Sequence, residues 1–99
     1  MDFLITALDY KNQLDKRLAN REAHVKGLTK AAKNGNLISA GALTNEAGEM
    51  IGSSVHVRFE SREALDEWLK TEPYVTNDVW ETVHINTVNL IDVNALKSS

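Results

Sequence analysis

A chain of 99 residues, 42% apolar and 25% charged, has the length of one globular domain and is too short for two. Its 14 acidic and 11 dispersed basic residues leave a formal charge of −3, which disfavours a phosphate backbone, so no nucleic-acid partner is expected. Cysteine is absent, which removes disulfides, thiolate metal sites and cysteine nucleophiles. The opening MDFLITALDY has no basic n-region, and its apolar run is too short for a signal peptide or a membrane span. The expectation is a cytoplasmic domain over residues 1–99, with a core near 2–93, a frayed tail from 94 to 99 and no membrane partner.

Phe3 to Leu8 is a β-prone apolar run that reads as a central strand, ended by Asp9. From Leu14 to Ala32 the period changes. Leu14, Leu18, Arg21, Val25, Leu28 and Ala32 recur in steps of four and three and are expected to form the inward face of a helix. Asn20 can act as an N-cap, so a break is allowed there. Gly35 is a C-terminal stop, because glycine accepts the left-handed conformation. Leu37 to Leu43 reads as a second strand, and polar Thr44 to Ile51 with Gly48 as a turn.

Ser53 to Phe59 alternates, with Ser53, Val55, Val57 and Phe59 on one face and Ser54, His56 and Arg58 on the other. Ser61 stands at an N-cap position before a helix whose apolar residues are Ala64, Leu65, Trp68 and Leu69. Pro73 suits the first position of a further short helix. Val79 to Val93 is β-rich, with Val83, Ile85 and Thr87 on one face. The order βαββαβ predicts an α+β, ferredoxin-like four-stranded antiparallel sheet with two main helices on one face. The other face is then open, and Val55, Val57, Phe59, Val83 and Ile85 supply apolar surface beyond what two helices need. A homodimer through that face is the expected partner.

Arg21 interrupts the apolar stripe, and Arg17 and His24 lie along its flank. Arg21 can lie over the core and extend its guanidinium to water; if buried it needs a carboxylate, Asp9 being nearest in sequence, and the expectation is that it is at least partly buried and paired with an acid. A carboxylate that accepts from one imidazole nitrogen raises the basicity of the other, which makes Asp9 and His24 a candidate proton-transfer pair. Taken alone, each is an ordinary turn or helix residue. His56 and His84 lack the spacing of a metal site, so no metal or other cofactor is expected. Trp68 and Trp80 read as core or interface anchors, Ser53 as turn chemistry, and Tyr74 as a ring that could close a pocket and donate a hydrogen bond.

Lys16-Arg17-Leu18 with Arg21-x-x-His24 resembles the YCII-related (YciI-like) family. So do Ala7-x-Asp9, Gly35-x-Leu37, Ala40-Gly41, Gly52-Ser53, Phe59-x-Ser61, Ala64, Trp68, Pro73-Tyr74-Val75 and Val79-Trp80-Glu81, in that order over residues 3–90. The resemblance implies a dimeric α+β barrel with a His–Asp pair in a pocket, which residue matching places at His24 and Asp9. One branch of the family removes hydrogen chloride from a chlorinated hydroxyaromatic. Two positions depart from the family pattern: Glu72-Pro73-Tyr74 stands where Asp-Pro-Tyr is usual, and Glu22 where proline usually follows the arginine.

The leading reading is therefore a metal-independent small-molecule enzyme of lyase, dehydrochlorinase or isomerase type. His24 moves a proton, Asp9 orients it, and Arg17 or Arg21 holds an anionic or enolate oxygen. Ser53, Glu72 and Tyr74 complete the substrate-binding set, and the substrate is a small polar cyclic or aromatic compound. The alternative is a dimeric ligand-binding or regulatory module that uses the same residues without turnover.

Overall fold

The computed structural model describes residues 1–98 and contains four strands and four helices in those residues. In chain order they are β1 (Asp2–Asp9), α1 (Leu14–Lys33), β2 (Leu37–Thr44), β3 (Met50–Arg58), α2 (Arg62–Leu69), α3 (Pro73–Thr76), β4 (Trp80–Val88) and α4 (Val93–Lys97). The sheet order is β2-β3-β1-β4 with every pair antiparallel. β1 is central, and its Ile5 stands between Val55 of β3 and Ile85 of β4. This is a ferredoxin-like α+β fold.

That register gathers Phe3, Ile5, Ala7, Ser53, Val55, Val57, Val83 and Ile85 on one face. Leu28 of α1, Leu65 and Trp68 of α2 and Tyr74 of α3 pack in the same apolar cluster, so the helices cover this face. Of the residues expected to drive dimerisation, Val55, Val57, Phe59 and Ile85 therefore serve the helix layer instead, while Val83 on the same face stays exposed. The opposite face carries Leu4, Thr6, Leu8, Ser54, His56 and His84, a mixed surface that is mostly polar. Gly52 permits the close approach of β3 to β1: a Cβ there would stand 2.2 Å from the Ala7 carbonyl oxygen.

Local signals set the element ends. Gly35, at φ +79°, follows α1 in a Schellman arrangement, with Asn36 N bonded to Ala31 O at 2.8 Å and Gly35 N to Ala32 O at 3.1 Å. The Ser61 side chain accepts from Ala64 N, and Pro73 opens α3. One open reading closes here and one expectation fails. α1 does not break at Asn20, whose amide donates to Lys16 O at 2.8 Å while its oxygen accepts from Asn77. The segment expected to be a frayed tail forms α4, capped by Asp92 through Asn94 N at 2.9 Å; Ser99 lies outside the described residues.

The phase of α1 also differs from the apolar count. Its buried residues are Arg17, His24 and Ala31, spaced by two turns, with Leu28 half-buried between them. Leu14, Leu18, Arg21, Val25 and Ala32 are exposed. The helix turns a seam that carries Arg17 and His24 inward because partners elsewhere in the fold satisfy them.

Candidate functional site

Asp9 ends β1 and Ser53 lies early in β3, one strand away on the helix-covered face. Arg17, one turn into α1, reaches both. Its Nη1 donates to the two Asp9 carboxylate oxygens at 3.0 Å each, and its Nη2 donates to Ser53 Oγ at 2.9 Å. Ser53 Oγ also accepts from Trp80 Nε1 at 3.2 Å. The guanidinium carbon lies 4.8 Å from the centroid of the Tyr74 ring. Arg17 is only 4% exposed, so the charge is out of water and depends on this acid. Its Nε is buried without a partner.

Two turns further along α1, His24 presents Nδ1 to Glu72 Oε1 in the interior. Glu72 is 2% exposed and also caps α3, accepting from Tyr74 N at 3.1 Å through the same oxygen. The His24 ring stacks on Tyr74 with centroids 3.9 Å apart and planes 10° from parallel, and Trp80 meets its edge at 6.3 Å. Burial pushes the Tyr74 phenol above its ordinary pKa, against the lowering influence of the Arg17 and Arg21 charges, so Tyr74 remains a protonated donor at neutral pH.

Two expected pairings are thereby corrected. Asp9 bonds Arg17, while the carboxylate at His24 is Glu72. The reason is helix rise: seven residues place His24 about 10 Å further along α1 than Arg17, away from the end of β1. Arg21 is not buried and is bonded to no acid among the described residues; the paired, buried arginine is Arg17. Arg21 instead lies at a cavity of about 180 Å³ between α1 and β2. The polar lining of this cavity is Arg17, Arg21, His24 and Tyr74, and its apolar lining includes Val25, Leu28, Ala40, Ala42 and Met50. Asp9, Ser53 and Glu72 stand behind that wall as partners of the lining groups.

Sequence reasoning missed Trp80 as a hydrogen-bond donor to Ser53, and it missed the small β2 residues at the cavity. The indole N–H of a buried tryptophan usually finds a partner, so Trp80 could have been flagged. A wider groove of about 720 Å³, lined by residues such as Tyr10, Lys11, Asp78 and Glu81, contains none of the paired groups. Among the described residues, no group of three or more His, Asp or Glu could hold a metal ion, and no helix is long and apolar enough to cross a membrane.

The fold is that of the ferredoxin-like α+β proteins, here with a histidine–carboxylate pair buried beside a small cavity. Within that class the chain belongs to the YCII-related domain family, whose model matches residues 1–89. Protein YciI of Escherichia coli O6:H1 is 36% identical over 91 residues, covering 86% of this chain and 93% of that protein. An uncharacterized protein of Haemophilus influenzae is 36% identical over 90 residues, covering 84% and 91%. Among solved structures, 5-chloro-2-hydroxyhydroquinone dehydrochlorinase (TftG) from Burkholderia phenoliruptrix, in complex with 2,5-dihydroxybenzoquinone, superposes with a TM-score of 0.81 at 19% identity, covering 90% of this chain and 94% of that one. Rv0793 from Mycobacterium tuberculosis gives 0.55 at 18% identity, covering 92% and 94%. At these identities the structural likenesses speak to the fold.

Proposed function

We propose that the chain is a small-molecule enzyme of lyase, dehydrochlorinase or isomerase type in which His24 transfers the proton. The observation that carries this reading is the His24–Glu72 pair. Nδ1 is committed to a buried carboxylate while the imidazole lines the cavity, which leaves Nε2 as the nitrogen available to a substrate. With Nδ1–H donated to Glu72, Nε2 carries a lone pair and can take a proton from a carbon next to a carbonyl. The electron pair left on carbon then moves onto the carbonyl oxygen as an enolate, or expels a leaving group such as chloride. Glu72 stabilises the imidazolium formed. The TftG dehydrochlorinase, which shares the fold, binds a compact cyclic compound, and this supports a small polar cyclic substrate class here.

The functional unit of this reading is a cytoplasmic homodimer; the sheet face that the helices leave uncovered is mostly polar, with Leu4 and Leu8 as apolar residues on it, so the contact is a mixed one. Sedimentation at micromolar concentration tests it, with twice the chain mass expected; a monomer overturns it. Catalysis is tested by screening halogenated hydroquinones and cyclic ketones with wild type and His24→Ala. Turnover should fall at least ~100-fold in the variant. Saturable binding without turnover of any compound would favour a binding module instead.

A further inference from the structure

The cavity is polarised in a way that the proton-transfer pair does not require. Arg17 contributes its surface, but its charge is cancelled by Asp9 and two of its nitrogens are already bonded. No carboxylate lines the cavity, and Glu72 lies behind the imidazole. Arg21 is the lining cation that has no ion pair among the described residues, and Tyr74, whose hydroxyl makes no hydrogen bond to another described residue, lines the same space. Arg17 and Arg21 act electrostatically on that hydroxyl, opposed by Asp9 and Glu72, which stand behind the lining as partners of Arg17 and His24. At about 180 Å³ the cavity is smaller than a drug-sized pocket, and its β2 side is formed by Ala40, Gly41 and Ala42, which leave room for a flat ligand.

We propose that this cavity selects a compact monoanion, its charged group held by Arg21 with the Tyr74 hydroxyl and its apolar body laid against Ala40 and Ala42. The proposal rests on the reading of this cavity as the substrate site, and it names Arg21, rather than Arg17, as the residue that sets the charge of the ligand. Arg17 is already bonded to Asp9 and Ser53, whereas an exposed guanidinium can turn to meet an incoming oxyanion. The absence of a lining carboxylate disfavours cations at the same place.

The test is calorimetric titration of the full chain at constant ionic strength with benzoate, its neutral counterpart benzamide, and benzylamine. Wild type should bind benzoate at least ~10-fold more tightly than benzamide, the discrimination a charge-assisted hydrogen bond provides, and should not bind benzylamine. Arg21→Gln should bring benzoate close to benzamide while leaving the melting temperature unchanged. Ala42→Leu, at an exposed strand position, should weaken both. Equal affinity for benzoate and benzamide, benzoate binding indifferent to Arg21→Gln, or no saturable benzoate binding at millimolar concentration would each overturn the proposal. The assay reads binding alone. Arg21-dependent benzoate selectivity in a protein that turns nothing over upholds the ligand class and defeats catalysis. Turnover of neutral substrates indifferent to Arg21 upholds catalysis and defeats the ligand class.

Discussion

His24 Nδ1 meets Glu72 Oε1 across 48 residues of sequence, and the same glutamate oxygen accepts the Tyr74 backbone N–H that starts α3. One carboxylate thus caps a helix and orients an imidazole. Position 72 is where the chain has Glu instead of the family's usual Asp. The longer side chain therefore sits at the residue that contacts the histidine.

Glu72→Gln retains an oxygen for the Tyr74 N–H but removes the charge opposite His24. The expected outcome is a fall in kcat of ~10-fold or more with little change in KM, since positioned acid–base groups act mainly on the chemical step. Asp9→Asn should leave the His24 ring signals in NMR spectra nearly where they are, because Asp9 is bonded to Arg17. Large shifts of those signals in Asp9→Asn and none in Glu72→Gln would reverse the assignment of partners.

Arg17 and Arg21 lie one helical turn apart and are expected to differ sharply in stability. Arg17→Met strands the buried Asp9 carboxylate, a loss of ~3–5 kcal/mol for a broken buried pair. Arg21→Met alters an exposed side chain and should stay within about 0.5 kcal/mol of wild type. Paired urea denaturation curves decide the matter. Equal midpoints for the two variants would contradict the burial pattern of α1.

Ser53→Ala removes the acceptor shared by Arg17 Nη2 and Trp80 Nε1. Leaving a buried indole N–H unpaired costs about 1–3 kcal/mol. Trp80 emission should change while Trp68, packed against Phe59 in another part of the core, supplies an unchanged background. Emission identical to wild type in a Trp68→Phe background would show that the Ser53–Trp80 bond contributes nothing.

The Asp2–Arg58 pair gives a pH dependence with a definite sign. The Arg58 side-chain hydrogen bond holds the Asp2 carboxyl below its ordinary range. A carboxylate depressed in the folded state adds stability above its unfolded pKa of about 3.9 and loses it as pH falls through the lower folded value. Asp2→Asn should therefore lower the melting temperature slightly at neutral pH, and the difference from wild type should vanish in acid and shrink in high salt. A difference that grows on acidification would contradict the pairing.

The elements were legible in the sequence because their signals are local. Alternation from Ser53 to Phe59, the Ser61 cap, Pro73 at a helix start and Gly35 at a helix end each act through neighbours within a turn or a strand. The order of these elements, with the relation between split βαβ halves, was enough for the ferredoxin-like sheet. The orientation of α1 was not legible. Counting apolar residues turns Leu14, Leu18 and Val25 inward, yet the folded helix buries Arg17 and His24, whose desolvation is tolerable only with Asp9, Ser53 and Glu72 in place. Those partners come from β1, β3 and the start of α3, so the pairing exists only after the sheet and helices have packed. Element order and the set of residues that could carry chemistry follow from local signals along the chain; which acid meets which base follows from packing, because it depends on the rise along α1 and the register across β1, which bring distant side chains within hydrogen-bond reach.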